Sequence, residues 1–157
     1  MKHLLSIILT VFLVTSCTTE EIIQDNYFAG QSFERTANLV APNFEATFEI
    51  PLNIELIESD MVLVYHLVGI DNDGIDIWRL MPDTVYTNDG LEFQYNFEHN
   101  FDFVTVFIEG PSTFNFNSLL PSDTLDQTFR IVILPVDFIN SNQIDINNFN
   151  NVVQYIQ

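Results

Sequence analysis

Between residues 44 and 50 the side chains change character at every step. Phe44, Ala46, Phe48 and Ile50 alternate with Glu45, Thr47 and Glu49. The same period recurs where Leu91, Phe93, Tyr95 and Phe97 alternate with Glu92, Gln94, Asn96 and Glu98. A period of two fits a strand, whose successive side chains point to opposite faces; a helical stripe needs a period near 3.6. Each segment thus turns one apolar face to a core and one acidic face to water. Two further runs, Met61-Val62-Leu63-Val64-Tyr65 and Ile131-Val132-Ile133-Leu134, are apolar throughout, as central strands covered on both sides are. Residues 75–80, 84–87 and 104–108 are further strand candidates. Asn72-Asp73-Gly74, Asn88-Asp89-Gly90 and Gly110-Pro111 supply turns between strands, the first two with the signature of a type I′ hairpin. Seven or more short strands at intervals of about ten residues predict a mainly β chain, folded as an antiparallel β-sandwich. The 15 Phe agree, since aromatic side chains suit a pleated surface. A helical pattern occurs only at the C-terminus. There Asn147 or Asn148 can cap a short helix through Tyr155, with Phe149, Val152, Val153 and Ile156 on one side. Residues 111–126 and 140–151 have the composition of loops.

The N-terminus has a different chemistry. Met1, Lys2 and His3 precede an apolar stretch over residues 4–14, interrupted only by Ser6 and Thr10. Eleven helical residues reach about 16 Å, half of a hydrocarbon core of roughly 30 Å, so the stretch suits a signal peptide and not a membrane span. It ends Leu13-Val14-Thr15-Ser16-Cys17, which resembles the lipobox of bacterial lipoproteins. The resemblance implies removal of residues 1–16, acylation of Cys17 and a membrane held through two or three acyl chains, enough for stable anchoring. Residues 17–26 form the expected acylated tether, and residues 27–157 a single β-sandwich domain. Thr18 is not the aspartate that retains lipoproteins in many inner membranes, and Glu20-Glu21 resembles the acidic surface-export signals of Bacteroidetes lipoproteins. The implied location is the outer membrane, with the domain either periplasmic or facing outward, the acidic pair favouring the outward side.

Processing removes Lys2 and no acid, leaving Arg35, Arg79 and Arg130 against 22 acids, a net charge of −19. Nucleic acid is thereby excluded as a partner, and anionic headgroups as a direct one, since phosphate binding needs clustered Lys and Arg. A single cysteine excludes an internal disulfide framework and a multi-cysteine metal site.

Residues 62–69 (Val-Leu-Val-Tyr-His-Leu-Val-Gly), Asp76-Ile77-Trp78-Arg79-Leu80-Met81-Pro82 and the run 129–138 as a closing strand resemble a family of small β-rich Bacteroidetes lipoproteins. The resemblance spans roughly residues 32–156 plus the lipobox. Some relatives carry a collagen-like stretch between anchor and domain; this chain, with five Gly, has none. Asp83-Thr84-Val85 and Asp123-Thr124-Leu125 are similar to the O-glycosylation motif of exported Bacteroidetes proteins, which makes Thr84 and Thr124 candidate acceptors, Thr124 in a loop being the better placed.

Candidate chemistry is sparse. Asp71, Asp73 and Asp76 form the densest group of oxygen ligands, readable either as a calcium site or as the exposed acids of a hairpin turn. The spacing departs from the EF-hand pattern. Trp78-Arg79 suggests binding, because Trp and Arg dominate interface hot spots and Trp stacks on sugars. Strand alternation instead points Trp78 to a core and Arg79 the other way, and one cation among so many acids calls for a carboxylate partner. His66, within an apolar strand, reads as a hydrogen-bonded core histidine, and His99 as a turn residue. With no Gly-x-Ser-x-Gly, no free cysteine after acylation and two histidines, no nucleophilic site can be assembled, and the chain reads as non-enzymatic. The expectation is a lipid-anchored protein with a binding or envelope-structural role and a protein or glycan partner, or alternatively a calcium-dependent module using Asp71, Asp73, Asp76 and Trp78.

Overall fold

The computed structural model describes residues 29–87 and 90–157; the stretch expected to be a signal peptide, Cys17 and the expected tether lie outside them. Eight strands form two antiparallel four-stranded sheets. These strands are β1 (Gln31–Ala37), β2 (Glu45–Glu49), β3 (Asp60–Ile70), β4 (Asp76–Leu80), β5 (Asp83–Tyr86), β6 (Glu92–His99), β7 (Phe103–Glu109) and β8 (Gln127–Pro135). One sheet has the order β1-β8-β3-β4 and the other β2-β7-β6-β5. The chain crosses between sheets four times, after β1, β2, β4 and β7, so the expected sandwich is found with its halves interleaved in sequence.

Two cores explain the two kinds of strand. Phe48, Phe93, Tyr95, Val104, Val106 and Ile108 from one sheet meet Val62, Val64, Phe129, Ile131 and Ile133 from the other. The opposite face of β3 and β8 presents Leu63, Tyr65, Val132 and Leu134 to a second core, closed by Ile139, Val152 and Ile156 of the C-terminal segment. β3 and β8 are therefore apolar on both faces, whereas β2 and β6 alternate because their outer faces meet water. The Tyr65 hydroxyl crosses the second core to donate to the carbonyl of Ile146 at 2.6 Å.

Three local expectations change. The sequence gives no sign of β1, an edge strand whose one buried residue is Phe33. The closing strand does not reach residue 138: it ends at Pro135, whose ring nitrogen cannot donate to a ladder, and α2 (Val136–Asn142) begins there. Its first turn holds Asp137, whose charge suits a helix N-terminus. At the C-terminus Asn148 caps α3 by accepting from the N–H of Asn150, but the helix keeps α geometry only over Phe149–Val152. The next three residues tighten to a 3-10 turn, whose larger angular step carries Val153 outward, 41% exposed, while Val152 and Ile156 stay buried. A one-turn helix, α1 (Pro121–Thr124), interrupts the long connection from β7 to β8.

The strand register defines two ends. Gln31 pairs with Ile133 and Asp60 with Pro135 at the end where the chain enters from its N-terminus. At the other end Ala37 pairs with Gln127, and β3 turns into β4.

Candidate functional site

Burying a polar side chain without a partner is costly, so buried polar groups mark where a fold holds something in place. Among the described residues four polar side chains are buried: His66, Asp83, Thr124 and Gln127. Three of them, His66, Asp83 and Gln127, line one cleft of about 500 Å³ between the sheets, at the end remote from the chain entry. Arg79, Tyr95, Ser122 and Asp126 complete its polar wall, and Val68, Ile70 and Val85 its apolar rim.

β3 supplies His66 from its inward face, and β8 supplies Gln127 from its first position. The Gln127 amide nitrogen donates to the carbonyls of Leu125 at 2.6 Å and Ser122 at 3.0 Å, which ties α1 to the sheet. Its oxygen is thus turned toward His66 Nε2, 2.8 Å away. A carbonyl oxygen only accepts, so Nε2 carries the proton and Nδ1 is the bare lone pair. That Nδ1 is buried and has no hydrogen-bond partner. The imidazole lies between Phe129, stacked at 5.1 Å between centroids, and Tyr95 at 4.4 Å. Asp83 receives the Arg79 guanidinium through both oxygens, at 3.0 and 3.1 Å. The carboxylate is buried, whereas the Arg79 side chain is 55% exposed and reaches the mouth of the cleft. The carboxylate partner expected for Arg79 is thus Asp83.

Burial pushes His66 below its ordinary value of 6.5, and Arg79 adds to this; the Gln127 bond and the Asp83 charge act the other way without prevailing. Burial likewise raises Tyr65 and Tyr95 above 10, helped by Asp145 for the first and by Asp123 and Asp83 for the second. Below pH 6.5 the unfolded chain takes up a proton at His66 that the folded chain resists, so stability falls with falling pH. Above pH 10 the unfolded chain releases tyrosine protons that the folded chain retains, so stability falls again. Urea midpoints are therefore expected to form a plateau between these limits. His66→Leu should flatten the slope between pH 5 and 6.5, on the ordinary histidine value of about 6.5. An unchanged slope in the His66 variant would assign it to other groups.

The other sequence candidates lie apart from the cleft or on its margin. Trp78 and Arg79 point to opposite faces of β4. Trp78 is half-buried on the outer face, packed toward the second core, with the Arg130 guanidinium 4.3 Å above its ring and Phe149 at 5.7 Å. Arg130 in turn is paired with Glu34. Asp71, Asp73 and Asp76 are exposed around the β3–β4 turn. Asp71 Oδ1 accepts from the N–H groups of Asp73 at 2.9 Å and Ile75 at 2.8 Å. Within this turn only Gly74 has positive φ, +82°, so the expected type I′ turn is replaced by a three-residue loop with glycine in the left-handed position. Among the described residues no group of three or more His, Cys, Asp or Glu side chains is arranged to hold a metal ion. Thr124 is not on an open loop: its side chain is buried in α1 and its hydroxyl donates to the carbonyl of Leu120. Thr84, half-buried on edge strand β5 with the Gln94 amide donating to its hydroxyl, is the more open of the two. Cys17 lies outside the described residues.

Gln127, Ser122 and Tyr95 carry no motif that marks them as cleft residues, and Asp83 is conspicuous only within a glycosylation-like tripeptide. The available signal was the burial of a lone histidine within an apolar strand. No family model, curated protein or solved structure matches the chain.

Proposed function

We propose that the chain is a non-catalytic, lipid-anchored binding domain, held on the outer membrane through Cys17 and facing outward. One observation carries the reading: the chain enters the sandwich at the end opposite the polar cleft. Gln31 pairs with Ile133 near one end of β8, and Ala37 pairs with Gln127, a cleft residue, at the other. Nine residues of strand separate these ends by roughly 26 Å at about 3.3 Å per step. A lipid attached at Cys17 would then hold one end near the bilayer and present the cleft away from it. The lipobox-like Leu13–Cys17 segment and the acidic Glu20-Glu21 pair support the anchor and the outward orientation. The Asp71–Asp76 loop is read as a turn and not as a calcium site, because one oxygen of Asp71 is engaged by two backbone N–H groups.

The test of the anchor is Cys17→Ser. Palmitate labelling should disappear and the protein should leave the outer-membrane fraction. Retention there with unchanged labelling would end the lipoprotein reading.

A further inference from the structure

Exposed apolar side chains gather at the end of the sandwich that carries the cleft. Of 14 large apolar side chains exposed among the described residues, nine lie there, Ile70, Ile77, Tyr86, Leu120 and Leu125 among them. Concentration at one end, and not single scattered residues, is what marks an interaction surface. Five of them, Val68, Ile70, Tyr86, Leu91 and Leu120, line two adjacent grooves. One is the cleft of about 500 Å³; the other, of about 390 Å³, is walled by Tyr86, Leu91, Phe114, Leu119 and Leu120. Val85 lines both, and α1 stands between them, with Asp123 facing one groove and Ser122 the other. Each has the volume of a pocket that takes a ligand-sized group.

The net charge around these grooves is negative. Asp71, Asp73, Asp76, Glu92 and Asp126 are exposed at this end. Arg79, the cation of the cleft, is already engaged by Asp83. We infer that this end docks an extended polypeptide segment in which apolar and basic side chains alternate. In an extended segment alternate side chains share one face at a spacing of about 7 Å, which sets apolar groups into neighbouring grooves and leaves the intervening ones for the surrounding carboxylates. Charge opposes the other occupants. An anionic lipid is repelled by the rim, and a second copy of the chain brings the same acids and, beyond Lys2, no lysine. The inference rests on the binding-domain reading and gives it a partner class.

The experiment uses the full chain in nanodiscs of neutral lipid, empty discs subtracted, and fluorescein-labelled heptapeptides followed by anisotropy. The alternating Lys–Leu peptide is expected to bind with a Kd of about 10 µM or tighter. The equally charged Lys–Ser peptide should bind at least about tenfold more weakly, and the Glu–Leu peptide should not bind. Leu120→Ser combined with Tyr86→Ser should weaken Lys–Leu binding about tenfold, while Leu52→Ser combined with Ile57→Ser, at the opposite end, leaves it unchanged. Equal binding of Lys–Ser and Lys–Leu would reduce the effect to general charge attraction and overturn the inference. So would binding of Glu–Leu, equal loss in both double variants, no binding at all, or a dimer that Leu120→Ser and Tyr86→Ser dissolve. Peptide binding does not depend on Cys17, so a Cys17→Ser chain that leaves the membrane fraction yet binds Lys–Leu supports both readings. One that binds but stays in the membrane fraction, with labelling unchanged, removes the anchor alone.

Discussion

Gln127→Leu is expected to lower the unfolding free energy by about 4 kcal/mol, several times the median cost of a point substitution. Leucine fills nearly the same volume, so the loss is not one of packing. The amide makes three bonds, to His66 Nε2 and to the carbonyls of Ser122 and Leu125. Removing it leaves the buried His66 N–H and two part-buried carbonyls without their partner, and each such group that water does not reach costs about 1–3 kcal/mol. Gln127→Glu separates polarity from orientation. Its carboxylate keeps an acceptor for His66 but turns oxygen, and a charge, toward the two carbonyls that the amide nitrogen satisfied. It should therefore destabilise about as much as leucine, by about 4 kcal/mol. In a double-mutant cycle with His66→Leu, the two losses should fall short of additivity by about 1–2 kcal/mol, because they share one hydrogen bond. Urea denaturation of the single and double variants measures all of this. A cost below about 1 kcal/mol for Gln127→Leu would mean that α1 is held to the sheet by other contacts.

The strands and the cleft differ in how much of them the sequence discloses, and the reason is physical. Alternation reports burial on one face of one strand, so β2 and β6 are legible, and so are β3 and β8, whose two buried faces erase the alternation. β1 buries only Phe33 and leaves no pattern. α2 was hidden because Val136, Phe138 and Ile139 prolong the apolar run of the strand before it, while the proline that ends the strand acts through a missing donor that hydrophobicity does not record. The cleft depends on how the sheets are aligned, which no single strand encodes. His66 reaches Gln127 because β3 pairs with β8 so that His66 lies opposite Phe129, two positions along from Gln127. Charge arithmetic foretold a carboxylate for Arg79 but not which one. Asp83 is chosen because β4 and β5 are edge strands of different sheets, joined by residues 81–82, so the pair spans the gap where the chain crosses. Thr124 looked open for the converse reason: a loop-like composition conceals a helical turn that buries its hydroxyl.

Phe129→Ala is expected to cost about 4 kcal/mol and to weaken the sandwich as a unit. The ring is fully buried, stands 6.2 Å from Phe48 of the opposite sheet and stacks on His66. Truncation removes a large side chain where both sheets converge, leaving a cavity walled on one side by β3 and β8, strands paired on both sides and poorly able to collapse. Val152→Ala is the informative comparison. Val152 is equally buried, but it lies in the second core, beneath the C-terminal cover. Its loss should cost about 2 kcal/mol and fall on that cover, because opening there leaves every strand pairing intact. Hydrogen exchange distinguishes the outcomes. Phe129→Ala should lower protection in β6, β7 and β8 together, and Val152→Ala only in α2 and α3. Equal loss in β6 for both variants would show that the two cores open as one. The partition also reaches the cleft, since Phe129 supports one face of the His66 ring and thereby the Gln127 amide. Lys–Leu peptide binding should weaken in Phe129→Ala and persist in Val152→Ala, because the grooves rest on the core between the sheets and not on the one behind them.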